Sequence, residues 1–175
     1  GPPCRHLRGD DVPARNKKIL SRALEGFVTP KRDRLLVKIT GWCRLGFLNE
    51  TFPDARFVHI VRDGRAAANS ILNVDWWEGF EGPSTGQWGE LSPAYREEWE
   101  KYDRSFVALA AIQWKILMDA YEAAKPTIDP SRPISAAPFV RPPSGVRSAI
   151  PAATYTPCAR AFAAVRSSPS SGEIS

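Results

Sequence analysis

Hydrophobic positions recur along the chain with two kinds of spacing. Near the N-terminus they fall on one face of a predicted helix, and the set is Ile19, Leu20, Ala23, Leu24 and Phe27. Farther along, RLLVKI at 34–39 and RFVHIV at 56–61 are short runs of strand-forming residues. The apolar core of the second run is almost continuous, which is typical of a strand covered on both faces in a parallel sheet.

A short helix is predicted between these two strands. Its apolar positions are Leu45, Phe47, Leu48 and Phe52, and it ends at Pro53. Because strand, helix and strand follow one another, they predict a βαβ unit with a right-handed crossover. Another helix is predicted after the turn at Asp63 and Gly64, and two more at 94–102 and about 103–124. The chain is therefore predicted to have an α/β fold.

The composition changes near Lys125. Of the 50 residues from 126 to 175, 27 are Pro, Ala or Ser, and they follow no helix or strand period. A segment of this composition buries too little apolar surface to offset the entropy lost on ordering. We therefore divide the chain into a folded domain at 1–125 and a low-complexity tail at 126–175. The tail is predicted to be disordered, or to be the translation of a shifted reading frame.

Charge and cysteine content exclude several classes of protein. The 175 residues include 24 Lys and Arg and 19 Asp and Glu, a net charge of +5. The most basic stretch is the tail, which lacks the folded basic stripe of a nucleic-acid-binding protein, so no nucleic-acid partner is predicted. No window holds about 18 consecutive apolar residues, so no membrane span is predicted. The three cysteines have no C-x-x-C spacing, so we expect no metal site and a reduced, cytoplasmic compartment.

The turn after the second strand has the chemistry of an anion site. A strand that ends in Arg62 and turns at Gly64 into a helix presents unpaired N–H groups at the helix N-terminus. The planar guanidinium of Arg62 matches phosphate oxygens, and Ser70 lies about two turns into the helix with a hydroxyl to donate. Arg65 and Asn69, four residues apart, could supply a second contact. A solvated or ion-paired turn is the alternative.

The wider string resembles a known family. The segment at 52–72 reads FPDARFVHIVRDGRAAANSIL. It is similar to the second cofactor-binding segment of sulfotransferases that use 3′-phosphoadenosine 5′-phosphosulfate (PAPS), and its sequence is most like that of the bacterial members. In that family an Arg at the strand end and a Ser eight residues later hold the 3′-phosphate, and Arg62 and Ser70 match them. The looser resemblance covers 34–124. It implies a parallel sheet like that of P-loop NTPases with flanking helices, in an incomplete form.

Lys38 matches a third position of the family. Many members carry a catalytic Lys at the end of the preceding strand, and Lys38 lies 24 residues before Arg62. A cation there suits the charge that develops on the sulfuryl oxygens. Some members place a His two residues later, whereas this chain has Thr40, which is no general base at neutral pH. A solvated lysine that closes the strand is the alternative.

Several other residues have a structural and a functional interpretation. His59 lies within the second strand, so it is predicted to be a packed core histidine rather than a base. Asp63 is predicted to cap the following helix rather than to orient Arg62. Trp76, Trp77 and Trp88 either line an acceptor pocket or cover the sheet edge, and Trp114 is predicted to belong to the core.

The resemblance also predicts what the chain lacks. No strand, glycine-rich loop and helix that would hold the 5′-phosphosulfate precedes residue 34, and no acidic YEDL-like motif follows the Trp114 helix. We therefore expect a fragment of a sulfotransferase with weak or no activity. Its acceptor would be the hydroxyl or amine of a small molecule or glycan. The alternatives are a P-loop kinase relative, which would need a GK[ST] motif absent here, and a non-catalytic nucleotide-binding remnant or interaction fragment.

Overall fold

The structure is a computed structural model, and it describes residues 6–11, 13–31, 33–83, 89–132, 134–138 and 160–166. Within these residues the helices are α1 (Ala14–Glu25), α2 (Leu45–Thr51), α3 (Gly64–Ile71), α4 (Pro93–Glu100) and α5 (Phe106–Ala124). The strands are β1 (Arg34–Ile39), β2 (Arg56–Val61), β3 (Ser135–Pro138) and β4 (Arg160–Arg166). The predicted strands 34–39 and 56–61 are confirmed at both ends.

The four strands form a mixed sheet in the order β1-β4-β2-β3. Strand β4 is antiparallel to both β1 and β2, whereas β3 is parallel to β2. The predicted all-parallel, P-loop-like sheet is therefore not confirmed. β1 and β2 still run in the same direction, because both are antiparallel to β4, but they are not hydrogen-bonded neighbours. The apolar pattern of two strands carries no information about a third strand between them.

The packing continues beyond the composition change at Lys125. Ile128 is buried, and the Arg132 guanidinium donates to the carbonyl of Ala55 at 3.1 Å and to Asn49 Oδ1 at 2.6 Å. Strands β3 and β4 lie farther along the same segment. The sequence predicts no element there, because a Pro, Ala and Ser-rich segment has no hydrophobic period. Sheet pairing requires backbone N–H and C=O groups alone, which such a segment retains wherever it lacks proline.

The main hydrophobic core lies between one face of the sheet and helices α2 and α5. Phe57 and His59 on β2 point into this core, whereas the alternate residues Val58 and Ile60 are half-buried. On β1, the side chain of Leu36 is 67% exposed. One face of β2 is therefore buried, and the other face is only partly covered. The continuous apolar run conceals the alternation, because its two half-exposed positions are also aliphatic.

Helix α1 rests on this core through part of its predicted apolar face. Leu20 and Leu24 pack against the core, but Ile19 is 56% exposed and Phe27, beyond the helix end, is 71% exposed. The inward-facing Lys17 pairs with Glu50 of α2 at 3.2 Å. The face that contacts the core is therefore narrower than the sequence predicts.

Helices α3 and α5 pack closely against each other. A Cβ added to Gly64, the first residue of α3, would lie 2.8 Å from Cζ3 of Trp114, so the approach requires a glycine. A second cluster of buried residues fills the space behind this contact: Ala68, Ile71, Trp77 and Ala110. The contact fixes the N-terminus of α3, and therefore the turn that carries Arg62, against the longest helix.

Candidate functional site

Arg62 follows the last residue of β2 directly and precedes the N-cap of α3. Its side chain is half-buried. The strand before it is held by β3 and β4, and the helix after it is held by the contact of Gly64 with Trp114. The guanidinium is therefore attached to a backbone that is fixed on both sides, which is what a preorganised anion contact requires.

Asp63 is the N-cap of α3, as predicted. Its Oδ1 accepts from the amide of Arg65 at 2.9 Å and from that of Ala66 at 3.2 Å, and its Oδ2 accepts from Nη2 of Arg65 at 3.0 Å. These bonds, first of all the one from the Arg65 side chain, lower the pKa of Asp63 to about 2. The cap is therefore a carboxylate at neutral pH.

This cap changes the expected source of anion binding. The sequence predicts that free N–H groups at the start of α3 contribute, but the Asp63 carboxylate engages the amides of Arg65 and Ala66. An anion at this turn would rely chiefly on side chains. Arg65 is a poor second contact for the anion, because its side chain is 93% exposed and pairs with Asp63.

Ser70 is the second-last residue of α3 and is half-buried. At 100° per residue it shares a flank of the helix with Ala66, between the buried side and the exposed side that carries Arg65 and Asn69. Its Cα lies about 10 Å along the helix axis from that of Asp63, at a rise of 1.5 Å per residue. An extended arginine side chain is long enough to span most of such a separation, so the length of Arg62 allows one anion to contact both groups.

Lys38 lies apart from these two residues. It is the fifth residue of β1 and is half-buried, on the face opposite the core-packed Ile39. Lys38 and Val58 both pair with Phe162, so they are level in the sheet with one strand between them. Strand spacing and rise then put the Cα atoms of Lys38 and Arg62 about 16 Å apart, with each residue near the carboxyl end of its strand. At this separation the two cations could contact opposite ends of one extended ligand.

His59 is buried in the core, as predicted, with 3% of its surface exposed. Its ring stacks on Tyr121 of α5 with centroids 3.6 Å apart. The sequence does not reveal that Nε2 is buried without a hydrogen-bond partner among the described residues. Burial lowers the pKa of His59, so the ring is neutral at pH 7.

The tryptophans are largely structural. Trp77 is buried, and its Nε1 donates to Oε1 of the buried Gln113 at 2.6 Å. Trp76 and Trp114 are half-buried and pack against the same cluster. Trp88 lies outside the described residues, so its predicted role in an acceptor pocket or at the sheet edge stays a prediction.

Two large clefts lie beside these elements. One, of about 650 Å³, is bounded by the segment around His6, by α2 and by α5. The other, of about 750 Å³, begins at Gly64 and Arg65 and continues along α4 and α5, with Val107, Ala111 and Trp114 in its lining. The second cleft adjoins the Arg62 turn.

Tyr95 donates to Asp119 Oδ2 at 2.7 Å within the first cleft. Burial and this bond raise the pKa of Tyr95 to about 12, so its hydroxyl stays protonated.

The described residues also bear on metals and membranes. Among them, His, Cys, Asp and Glu form no group that could hold a metal ion. The helices at 14–25, 45–51, 64–71, 93–100 and 106–124 include none with the length and hydrophobicity to cross a bilayer.

The fold and site define a mixed α/β protein with basic side chains near the carboxyl ends of β1 and β2. A family model described as the sulfotransferase family matches residues 8–132. The chain therefore belongs to the sulfotransferase family. Neither a curated protein nor a solved structure matches it.

Proposed function

We propose that this sulfotransferase-family chain binds PAPS and transfers its sulfuryl group to a hydroxyl or amine of a small-molecule or glycan acceptor. One observation carries the proposal: Arg62 follows β2 directly, and the helix that carries Ser70 begins two residues later. In this proposal Arg62 and Ser70 bind the 3′-phosphate of the donor, and Lys38 binds the sulfuryl oxygens.

The separation of the cations agrees with the shape of this donor. PAPS carries one phosphate on the 3′ oxygen of its ribose and the sulfuryl group on the phosphate at the 5′ oxygen, so the groups that bind them need not be adjacent. In the reaction the acceptor oxygen or nitrogen bonds to sulfur as the bond from sulfur to the 5′-phosphate oxygen breaks. The acceptor loses a proton, and adenosine 3′,5′-bisphosphate leaves. A cation near sulfur stabilises the charge on the transferred oxygens.

The test is a calorimetric titration with adenosine 3′,5′-bisphosphate. Removing a charged hydrogen-bond partner costs about 1.5–3 kcal/mol, so Arg62→Ala should raise Kd about 10- to 150-fold. Ser70→Ala removes a neutral partner and should cost about 0.5–1.5 kcal/mol, a twofold to tenfold weaker Kd. Adenosine 5′-monophosphate, which lacks the 3′-phosphate, should bind equally to the wild-type chain and to Arg62→Ala.

Arg65→Ala is the matched control, because it removes the same charge three residues away. The Arg65 side chain pairs with Asp63, so this variant should retain bisphosphate affinity within about twofold, as screened surface charges contribute little. Equal losses in the two variants would refute a specific role for Arg62. Preference for ATP with magnesium over the bisphosphate would indicate a kinase relative instead.

The second candidate function is nucleotide binding without transfer. The engagement of the Arg65 and Ala66 amides by Asp63 favours it, because these two groups are not free to hold the donor's anionic groups. Labelled PAPS and a panel of phenol, amine and sugar acceptors separate the two candidates. If the wild-type chain transfers the sulfuryl group and Lys38→Ala abolishes transfer without changing the affinity for the bisphosphate, the result supports the enzyme function. Binding with no transfer to any acceptor supports the alternative.

A further inference from the structure

Helix α1 carries a row of cations on its outward face. Arg15, Lys18 and Arg22 are all exposed, and their spacings of three, four and seven residues place them on one side of the helix. Ile19 lies among them and is 56% exposed. With Ala14 these residues line a shallow depression on the protein surface.

These three cations differ from the one that points inward. Lys17 is paired with Glu50 at 3.2 Å, on the side of α1 that packs through Leu20 and Leu24. The charged groups of the three outward side chains make no ion pair or hydrogen bond with the part of the chain that the structure describes. Within the described residues, their positive charge is therefore not neutralised by a direct ion pair.

We propose that this basic face of α1, namely Arg15, Lys18, Ile19 and Arg22, docks on an anionic membrane surface. Charge complementarity selects a negatively charged partner, and the exposed Ile19 beside the cations selects one with an apolar layer beneath the charge. In such a contact the arginine and lysine stems lie along the apolar layer and their charged ends reach the phosphates.

Polymeric anions fit the same face less well. Proteins that bind single-stranded nucleic acids stack bases on aromatic rings beside the cations, whereas the apolar residue beside these cations is an isoleucine. An acidic polysaccharide offers no apolar layer for Ile19. The face spans about 10 Å from Arg15 to Arg22, so we expect weak, reversible and salt-sensitive binding of the intact chain rather than stable anchoring.

The test is flotation of the chain with vesicles of phosphatidylcholine, with and without phosphatidylserine. Binding should require phosphatidylserine and fall as salt is added. Arg22→Glu changes the net charge by two, so the partition coefficient should fall at least about tenfold. Arg96→Glu, at an exposed position of α4, makes the same charge change and should retain binding. Ile19→Ser should weaken binding several-fold without a change of charge.

Several outcomes would overturn the proposal. One is the absence of vesicle binding at low salt. Another is an equal loss of vesicle binding in Arg22→Glu and Arg96→Glu. The third is tight binding to heparin or DNA that Ile19→Ser leaves unchanged. The substituted side chains are exposed, and the cations make no ion pair with the described part of the chain, so matched melting temperatures serve as the folding control. The proposal does not depend on the proposed enzyme function, because vesicle binding needs no nucleotide and Arg62→Ala should leave it unchanged.

Discussion

At the scale of the residue, His59 is a polar side chain in an apolar setting. Its ring is sandwiched into the contact between β2 and α5, where it stacks on Tyr121. Burial lowers its pKa, while the nearby Glu122 raises the pKa and Lys125 lowers it. A buried nitrogen without a partner is costly, and a protonated one in that position would cost more.

The lowered pKa predicts acid sensitivity near neutral pH. Below about pH 6.5 the unfolded chain takes up a proton on His59 before the folded chain does. The free energy of unfolding should therefore decrease as pH falls from about 7 towards the folded pKa, with a slope of at most about 1.4 kcal/mol per pH unit. His59→Phe removes this contribution and the unpartnered nitrogen, so it should raise stability by about 1 kcal/mol at pH 7.5.

His6 must be controlled in this experiment, because burial and the nearby Arg8 lower its pKa too. In a His6→Gln background, urea unfolding between about pH 5 and 7 isolates His59. Asp63, with a pKa of about 2, titrates below this window. If the slope persists in His6→Gln/His59→Phe, the acid sensitivity has another source.

At the scale of the element, α5 connects the loop after α3 to the core. The buried hydrogen bond between Trp77 and Gln113 joins the two, and Gly79 lies against the Trp77 ring so closely that a Cβ would clash with it. The Trp77–Gln113 hydrogen bond and the close approach of Gly79 therefore both help to hold the described part of the loop in place. Neither feature has a hydrophobic period, which is why the sequence leaves the role of Trp77 open.

Trp77→Phe should leave Gln113 Oε1 buried without its donor. We expect a loss of about 1–3 kcal/mol in the free energy of unfolding from the unpaired oxygen, and more from the smaller ring. Gln113→Leu should cost a similar amount, because it leaves the indole N–H unpaired. The double variant should cost less than the sum of the two by about 1 kcal/mol or more, as measured by urea unfolding. Additive losses would show that the two side chains do not depend on each other.

At the scale of the whole molecule, the sequence predicts what is local and misses what is distant. Strands β1 and β2 are confirmed because each is a run of β-branched and aliphatic residues. The cap at Asp63 is also confirmed, because its side chain bonds to amides only two and three residues away. The position of β4 between β1 and β2 depends on pairing about 100 residues apart, which no local pattern encodes. The anion contact of Arg62 can also be predicted from neighbouring residues in the sequence. The distance to Lys38 cannot, because it depends on that intervening strand.

The sheet order yields the last prediction, at the centre of β4. The backbone of Ala163 pairs with Val37 on one side and Phe57 on the other. Proline at 163 removes a ladder N–H and is disfavoured in a strand with neighbours on both sides, so Ala163→Pro should lower the free energy of unfolding by about 3 kcal/mol. Hydrogen exchange should rise in β1 and β2 together, because both lose order next to the damaged strand. Ala163→Ser retains the N–H and should leave exchange in both strands near the wild-type rate. Unchanged exchange in Ala163→Pro would mean that β1 and β2 are held by some other segment. The distance of about 16 Å between Lys38 and Arg62, which assumes one intervening strand, would then be wrong.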